Sequence, residues 1–137
     1  MTINSKYIFV ASMDVDPDKE ALFNEVYEQE HVPNLLKVPG VRAVTRLRTE
    51  RANFTLGGQT KELTGEGASR YVAIYEIDSP DVLTSAAWAE AAEQGRWPAE
   101  VRPYTSNRHQ HRSSRDLGYL PASRGDRALG RDRGAAH

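Results

Sequence analysis

The 137-residue sequence has no cysteine. That excludes a disulfide scaffold, thiolate-bound metal, iron–sulfur clusters and a cysteine nucleophile. Long apolar runs are missing as well: stretches such as Tyr7–Ala11 fall far short of the roughly 20 residues that cross a bilayer. Met1–Lys6 lacks the basic-then-apolar build of a secretory signal, so a cytoplasmic protein is expected. No glycine-rich phosphate cradle precedes a helix, and there is no serine nucleophile elbow or HExxH pattern. Asp14, Asp16 and Asp18 alternate like the start of a calcium loop, but the glycine and closing glutamate are misplaced. No bound cofactor is indicated.

The formal net charge of -1 hides an asymmetry. Residues 1–95 carry nine Lys/Arg against fifteen Asp/Glu, whereas residues 96–137 carry nine arginines against four acidic residues. A basic tail on an acidic body is one route to nucleic acid. Here the arginines are spread among Asp, Gly and Ser with only Tyr104 and Tyr119 as stacking surfaces, which argues against that partner.

Roughly 100–200 residues make one domain. Lys6–Val15 is β-rich and apolar and predicts a buried strand. Asp16-Pro17-Asp18 starts a helix to about Glu30, with Leu22, Phe23, Val26 and Tyr27 as its apolar stripe; Pro33 and Pro39-Gly40 break it. Gly40–Phe54 alternates and predicts a half-buried strand, Thr55–Gly67 a long loop, and Ser69–Ile77 a third strand. A second helix is expected from Pro80 to about Gln94, Trp97-Pro98 and Pro103 mark a connection, and Tyr104–Arg115 is a polar fourth strand. Residues 1–115 then form one domain, and the Arg/Gly-rich residues 116–137 a poorly ordered tail.

The order β-α-β-β-α-β predicts a ferredoxin-like α+β fold: a four-stranded antiparallel sheet with helices on one face. The chain leaves no second layer for the other face, so sheet-to-sheet homodimerisation is the simplest way to cover it.

The stretch from Tyr27 to Val41, with Glu30-His31-Val32-Pro33, Leu35-Leu36 and Pro39-Gly40-Val41, resembles the helix-and-turn signature of dimeric α+β barrel proteins, particularly EthD-like members. The resemblance covers roughly residues 6–112 and implies two ferredoxin-like protomers sharing a barrel, each with a pocket between helices and sheet. Members include cofactor-free monooxygenases, polyketide cyclases, muconolactone-type isomerases and haem-degrading enzymes. The Asn–Trp–His set of the haem-degrading branch is not found here. In members that catalyse, the histidine of this motif commonly lies in the active site, which implies that place for His31.

On spacing alone, Phe23, Tyr27 and His31 share one helical face. An imidazole at the end of that stripe can act as a general base near neutral pH, with Glu28 or Glu30 setting its tautomer, or it can simply bond the turn before Pro33. Tyr27 and Arg46 are candidates to stabilise an enolate or phenolate, although Arg46 and Arg48 equally suit dimer ion pairs. Phe23, Tyr7, Tyr71, Tyr75, Trp88 and Trp97 are candidate substrate contacts or core residues. His109 and His111 have metal-ligand spacing on a strand, with His31 or Glu76 as a third donor, but nothing in the sequence supplies that donor and no metal site is assigned.

Three function classes follow. The first is a small cofactor-independent enzyme of catabolic or secondary metabolism, acting by proton transfer on a hydrophobic, aromatic or polyketide-like substrate. Its outcome would be isomerase, cyclase or lyase chemistry, or oxygenation if the substrate anion reacts with oxygen. The second is a non-catalytic ligand-binding or stress-response protein of the same fold, and the third a haem- or metal-dependent oxygenase.

Overall fold

The computed structural model describes residues 3–63 and 66–115. The tail expected at 116–137, and with it the proposed boundary at 115, lies outside the described residues. Strands β1 (Tyr7–Val15), β2 (Val41–Arg48), β5 (Tyr71–Ile77) and β6 (Thr105–Ser114) form an antiparallel sheet in the order β2-β5-β1-β6. That is the ferredoxin-like α+β arrangement. Along β1, Tyr7, Phe9, Ala11 and Met13 face the helices, and the register sets Tyr71, Ala73, Tyr75 and Ile77 of β5 beside them. Ile8, Val10, Val72 and Ile74 alternate to the other face, which no helix covers. The core between sheet and helices is centred on the fully buried Phe23, Val26, Leu35, Tyr75, Ile77, Trp97 and Val101.

The inter-strand segment expected as a loop is a hairpin. β2 stops at Arg48, and β3 (Ala52–Leu56) pairs with β4 (Gln59–Leu63) in a separate two-stranded sheet. Gly57 and Gly58, at φ +62° and +78°, supply the two-residue turn whose twist matches a hairpin. Both strands are exposed throughout, so no buried stripe announces them.

The first helical segment also outlasts its expected end. Helix α1 (Glu20–Val26) runs into a wide π turn (Tyr27–His31) and then α2 (Val32–Leu36), which contains Pro33. Proline removes one backbone donor and crowds the preceding turn. The chain absorbs this by widening: the Val32 amide donates to the Tyr27 carbonyl, five residues back. The second helix is split. Pro80–Thr84 is a tight 3₁₀ turn, Ser85 is extended, and α3 (Ala86–Ala91) begins beyond it, with the Ser85 hydroxyl accepting from the Trp88 amide. Trp97–Val101, expected as a connection, is another π turn around Pro98.

Gly40 turns the chain into β2 at φ +93°, and its carbonyl accepts from the Asp78 amide at 2.9 Å. A Cβ there would strike the Val82 side chain. Gly40→Ala is therefore expected to destabilise the protein by about 1–3 kcal/mol, measured as a lower urea midpoint at unchanged slope.

Candidate active site

The small side chains of Ala11 and Ala92 leave room between the sheet and the helical layer, and a cavity of about 330 Å³ opens there. Its floor is Phe9, Ala11 and Met13 of β1 with Tyr75 of β5; its helical wall carries Tyr27, His31, Trp88 and Trp97. Arg102, Arg108 and Gln110 supply the polar side. Among the described residues no carboxylate lines it.

His31 is 7% exposed and lies flat on Trp97, with ring centroids 4.2 Å apart and planes at 17°; Tyr27 meets it edge-on at 5.1 Å. The two π turns thus deliver the imidazole and its indole platform to the same wall. Nδ1 is buried without a hydrogen-bond partner, which leaves Nε2 as the ring's polar atom for the cavity. Burial lowers the imidazole pKa from 6.5 to about 4; the guanidinium charges of Arg102 and Arg108 act in the same direction, and Glu93 opposes them. At neutral pH His31 is uncharged.

The expected carboxylate partner is absent. Glu30 takes the backbone and side chain of Arg96, and Glu28 takes Arg46, so neither orients the imidazole. An Nδ1–H left buried without an acceptor costs about 1–3 kcal/mol, which favours the neutral tautomer protonated on Nε2.

Tyr27 and Tyr75 share a hydrogen bond between their hydroxyls at 2.9 Å. Burial pushes both phenols above their ordinary range, Tyr75 further because the neighbouring Tyr27 adds to it. Two hydroxyls have two protons, and the bond between them uses one. The other remains free to donate to an oxygen in the cavity.

Of the residues singled out from the sequence, His31, Tyr27, Tyr75, Trp88 and Trp97 meet at the cavity. Arg46 does not line it. Its register partner is Ala73 of β5, a strand away from β1, so it covers the far side of Tyr27 at 4.4 Å from the ring centroid. There it donates to Glu28 at 3.0 Å and Asn24 at 2.8 Å, which puts it on the helix side rather than at a sheet-to-sheet contact. Arg48 lies beside Glu50. Phe23 is sealed in the core against Tyr27, Tyr71 and Trp97, Tyr71 accepts from Asn24, and Tyr7 is half-buried; none of the three lines the cavity.

His109 and His111 pair with Ser12 and Val10 and therefore sit on the helix-free face, on the opposite side of the sheet from His31. Glu76, on that same face, is buried and accepts from the amides of Asn4 and Ser5. Among the described residues no three His, Asp or Glu side chains are grouped to hold a metal ion. Sequence reasoning missed Arg102, Arg108 and Gln110. Alternation in β6 puts Arg108 and Gln110 on the face opposite the two histidines, but a strand without apolar residues does not reveal which face meets the helices.

No protein-family model matches the chain, and no curated protein matches it. Solved structures do. SnoaB, a cofactor-independent oxygenase from Streptomyces nogalater, superposes with TM-score 0.54 and 18% identity over 85% of this chain and 97% of that one. A protein assigned as an antibiotic biosynthesis monooxygenase from Bordetella bronchiseptica gives 0.53 and 19% over 81% and 97%. A point variant of MhuD, carrying two manganese protoporphyrin IX molecules per active site, gives 0.54 and 13% over 84% and 99%. At these identities the likeness is one of architecture: the chain shares the ferredoxin-like fold of these solved structures.

Proposed function

We propose that this protein is a small cofactor-independent enzyme that removes a proton from a hydrophobic, aromatic or polyketide-like substrate. One observation carries the reading: among the described residues that line the cavity, His31 is the side chain that can accept a proton at neutral pH, since the tyrosines are neutral, guanidinium groups only donate and no carboxylate is among them. Nε2 takes the proton from the less stable tautomer with the ring hydrogen on Nδ1, which costs about 1–3 kcal/mol because that N–H is buried without an acceptor. The free hydroxyl proton of the Tyr27–Tyr75 pair donates to the enolate or phenolate oxygen that forms.

A base held near 4 is weak. Matching pKa values then favour a substrate whose own proton is acidic, such as a phenol or a carbon between carbonyls. Reprotonation at another carbon gives isomerisation, addition of the carbanion to a carbonyl of the same molecule, with protonation of the resulting alkoxide, gives cyclisation, and expulsion of a leaving group gives lyase chemistry. Reaction of the anion with oxygen gives oxygenation, the outcome that the likeness to SnoaB, a cofactor-independent oxygenase, favours. The low basicity of His31 also favours a second reading, ligand binding without turnover.

The helix-free face supports self-association. Ile8, Val10, Ala43, Leu47, Val72 and Ile74 present apolar groups there, and Leu47 is 46% exposed in the single chain. A second copy, packed sheet to sheet, would cover them. No helix of the described residues is long and apolar enough to cross a membrane.

Incubating phenols and enolisable ketones in heavy water with wild type should give catalysed exchange by NMR that His31→Gln abolishes. Catalysed exchange retained by the variant would remove His31 from the chemistry, and silence with ligand-shifted protein resonances would favour binding. The unfolded histidine titrates near 6.5 and the folded one near 4, so the unfolded chain binds more protons between these values. Stability is therefore full above pH 6.5 and falls toward pH 4, by up to about 3 kcal/mol from this group. Urea unfolding should show that decline in wild type and a flatter one in His31→Gln. Ile74→Glu is expected to convert a dimer to a folded monomer in sedimentation velocity.

A further inference from the structure

Two arginines border the cavity, and their surroundings differ. Arg102 is committed within the chain: it donates to Glu93 at 2.9 Å and to the Ala92 carbonyl at 3.0 Å. Arg108 has no carboxylate partner among the described residues. Its Nη1 donates to Thr105 Oγ1 at 3.2 Å, and that hydroxyl donates in turn to the Arg102 carbonyl at 2.7 Å. The side chain is thus steered while most of its five donors stay unused.

The backbone beneath it is unusual. Between the pairs Ser12–His109 and Asp14–Ser106 the register shifts, so Asn107 and Arg108 together oppose Met13 in a β-bulge. Asn107 sits at φ +49°, a left-handed conformation that few residues other than glycine adopt. It is held there by Asp14, which accepts from its side chain at 3.1 Å, and by Ser69, which donates to its carbonyl at 2.6 Å. Alternation from Gln110 already puts Arg108 on the cavity side, and the bulge at Asn107 comes directly after it in the ladder. Bulges cluster at functional sites.

We propose that the substrate carries a carboxylate and that Arg108, with Gln110 beside it, is the receptor for that group at the cavity edge. This rests on the reading of the aromatic cavity as the substrate site. A planar guanidinium fork matches the two oxygens of a carboxylate, and the indoles of Trp88 and Trp97 suit an attached ring system. The pairing would also offset one of the two positive charges that add to burial in keeping His31 neutral, making the base stronger when substrate is bound.

The test uses two probes of the same shape, 2-naphthoate and 2-naphthamide, titrated against the full-length protein by quenching of tryptophan fluorescence. Wild type should bind the acid about tenfold or more tightly than the amide, an advantage that shrinks with added salt. Arg108→Gln should erase the preference while leaving affinity for the amide unchanged, and Arg108→Lys should keep part of it. Equal binding of acid and amide by wild type, or a preference that survives in Arg108→Gln, would overturn the carboxylate receptor and leave the aromatic site standing. Failure of both probes to bind would overturn the aromatic site itself.

Discussion

The flat contact between His31 and Trp97 is the joint on which the site depends. It connects a π turn in the first half of the chain to a π turn in the second, and nothing local in either segment requires the other. Around it, Glu30 binds Arg96 through both backbone and side chain, and Gly95, at φ +70°, leaves no Cβ where the Glu30 carboxylate lies. Tyr27 meets Trp97 edge-on at 5.2 Å. These contacts hold the helical wall of the cavity as one unit. The two wide turns are also where prolines interrupt regular helix, so the backbone irregularity and the chemistry share a position.

Electrostatics inside that wall run against intuition drawn from the sequence. The segment around His31 is rich in glutamate, which suggests an imidazole made more basic by carboxylates. Folding sends those carboxylates outward to arginines, and the imidazole is left among aromatic rings with guanidinium charges at the cavity edge. A neutral histidine results. Burial outweighs the surviving Glu93 attraction because the ring loses its hydration while Glu93 is engaged by Arg102.

The sheet divides the remaining polar residues by side. His109 and His111 go to the helix-free face, and Arg108 and Gln110 to the cavity. The exposed hairpin β3–β4 follows the same period of two, with Ala52, Phe54, Leu56 and Leu63 on one side. Its low burial explains why it reads as loop in a search for buried stripes.

Periodicity and punctuation in the sequence determined the order of the four main strands and the two helical segments, the antiparallel sheet and the inward face of the first helix, because alternation and the Leu22–Val26–Tyr27 stripe report burial locally. Spacing put Tyr27 and His31 on one face, but it offered Tyr75, Trp88 and Trp97 together with Phe23, Tyr7 and Tyr71, and packing alone separates those that line the cavity. What only the tertiary structure decided was partnership. Which carboxylate meets which arginine, on which side of Tyr27 Arg46 lies, and which face of β6 looks into the cavity all depend on strand register and on contacts dozens of residues apart. A polar strand such as Thr105–Ser114 has no apolar alternation to mark its inner side. The bulge at Asn107 is held by Asp14 and Ser69, far from it in the chain, so no local sequence signal announces it.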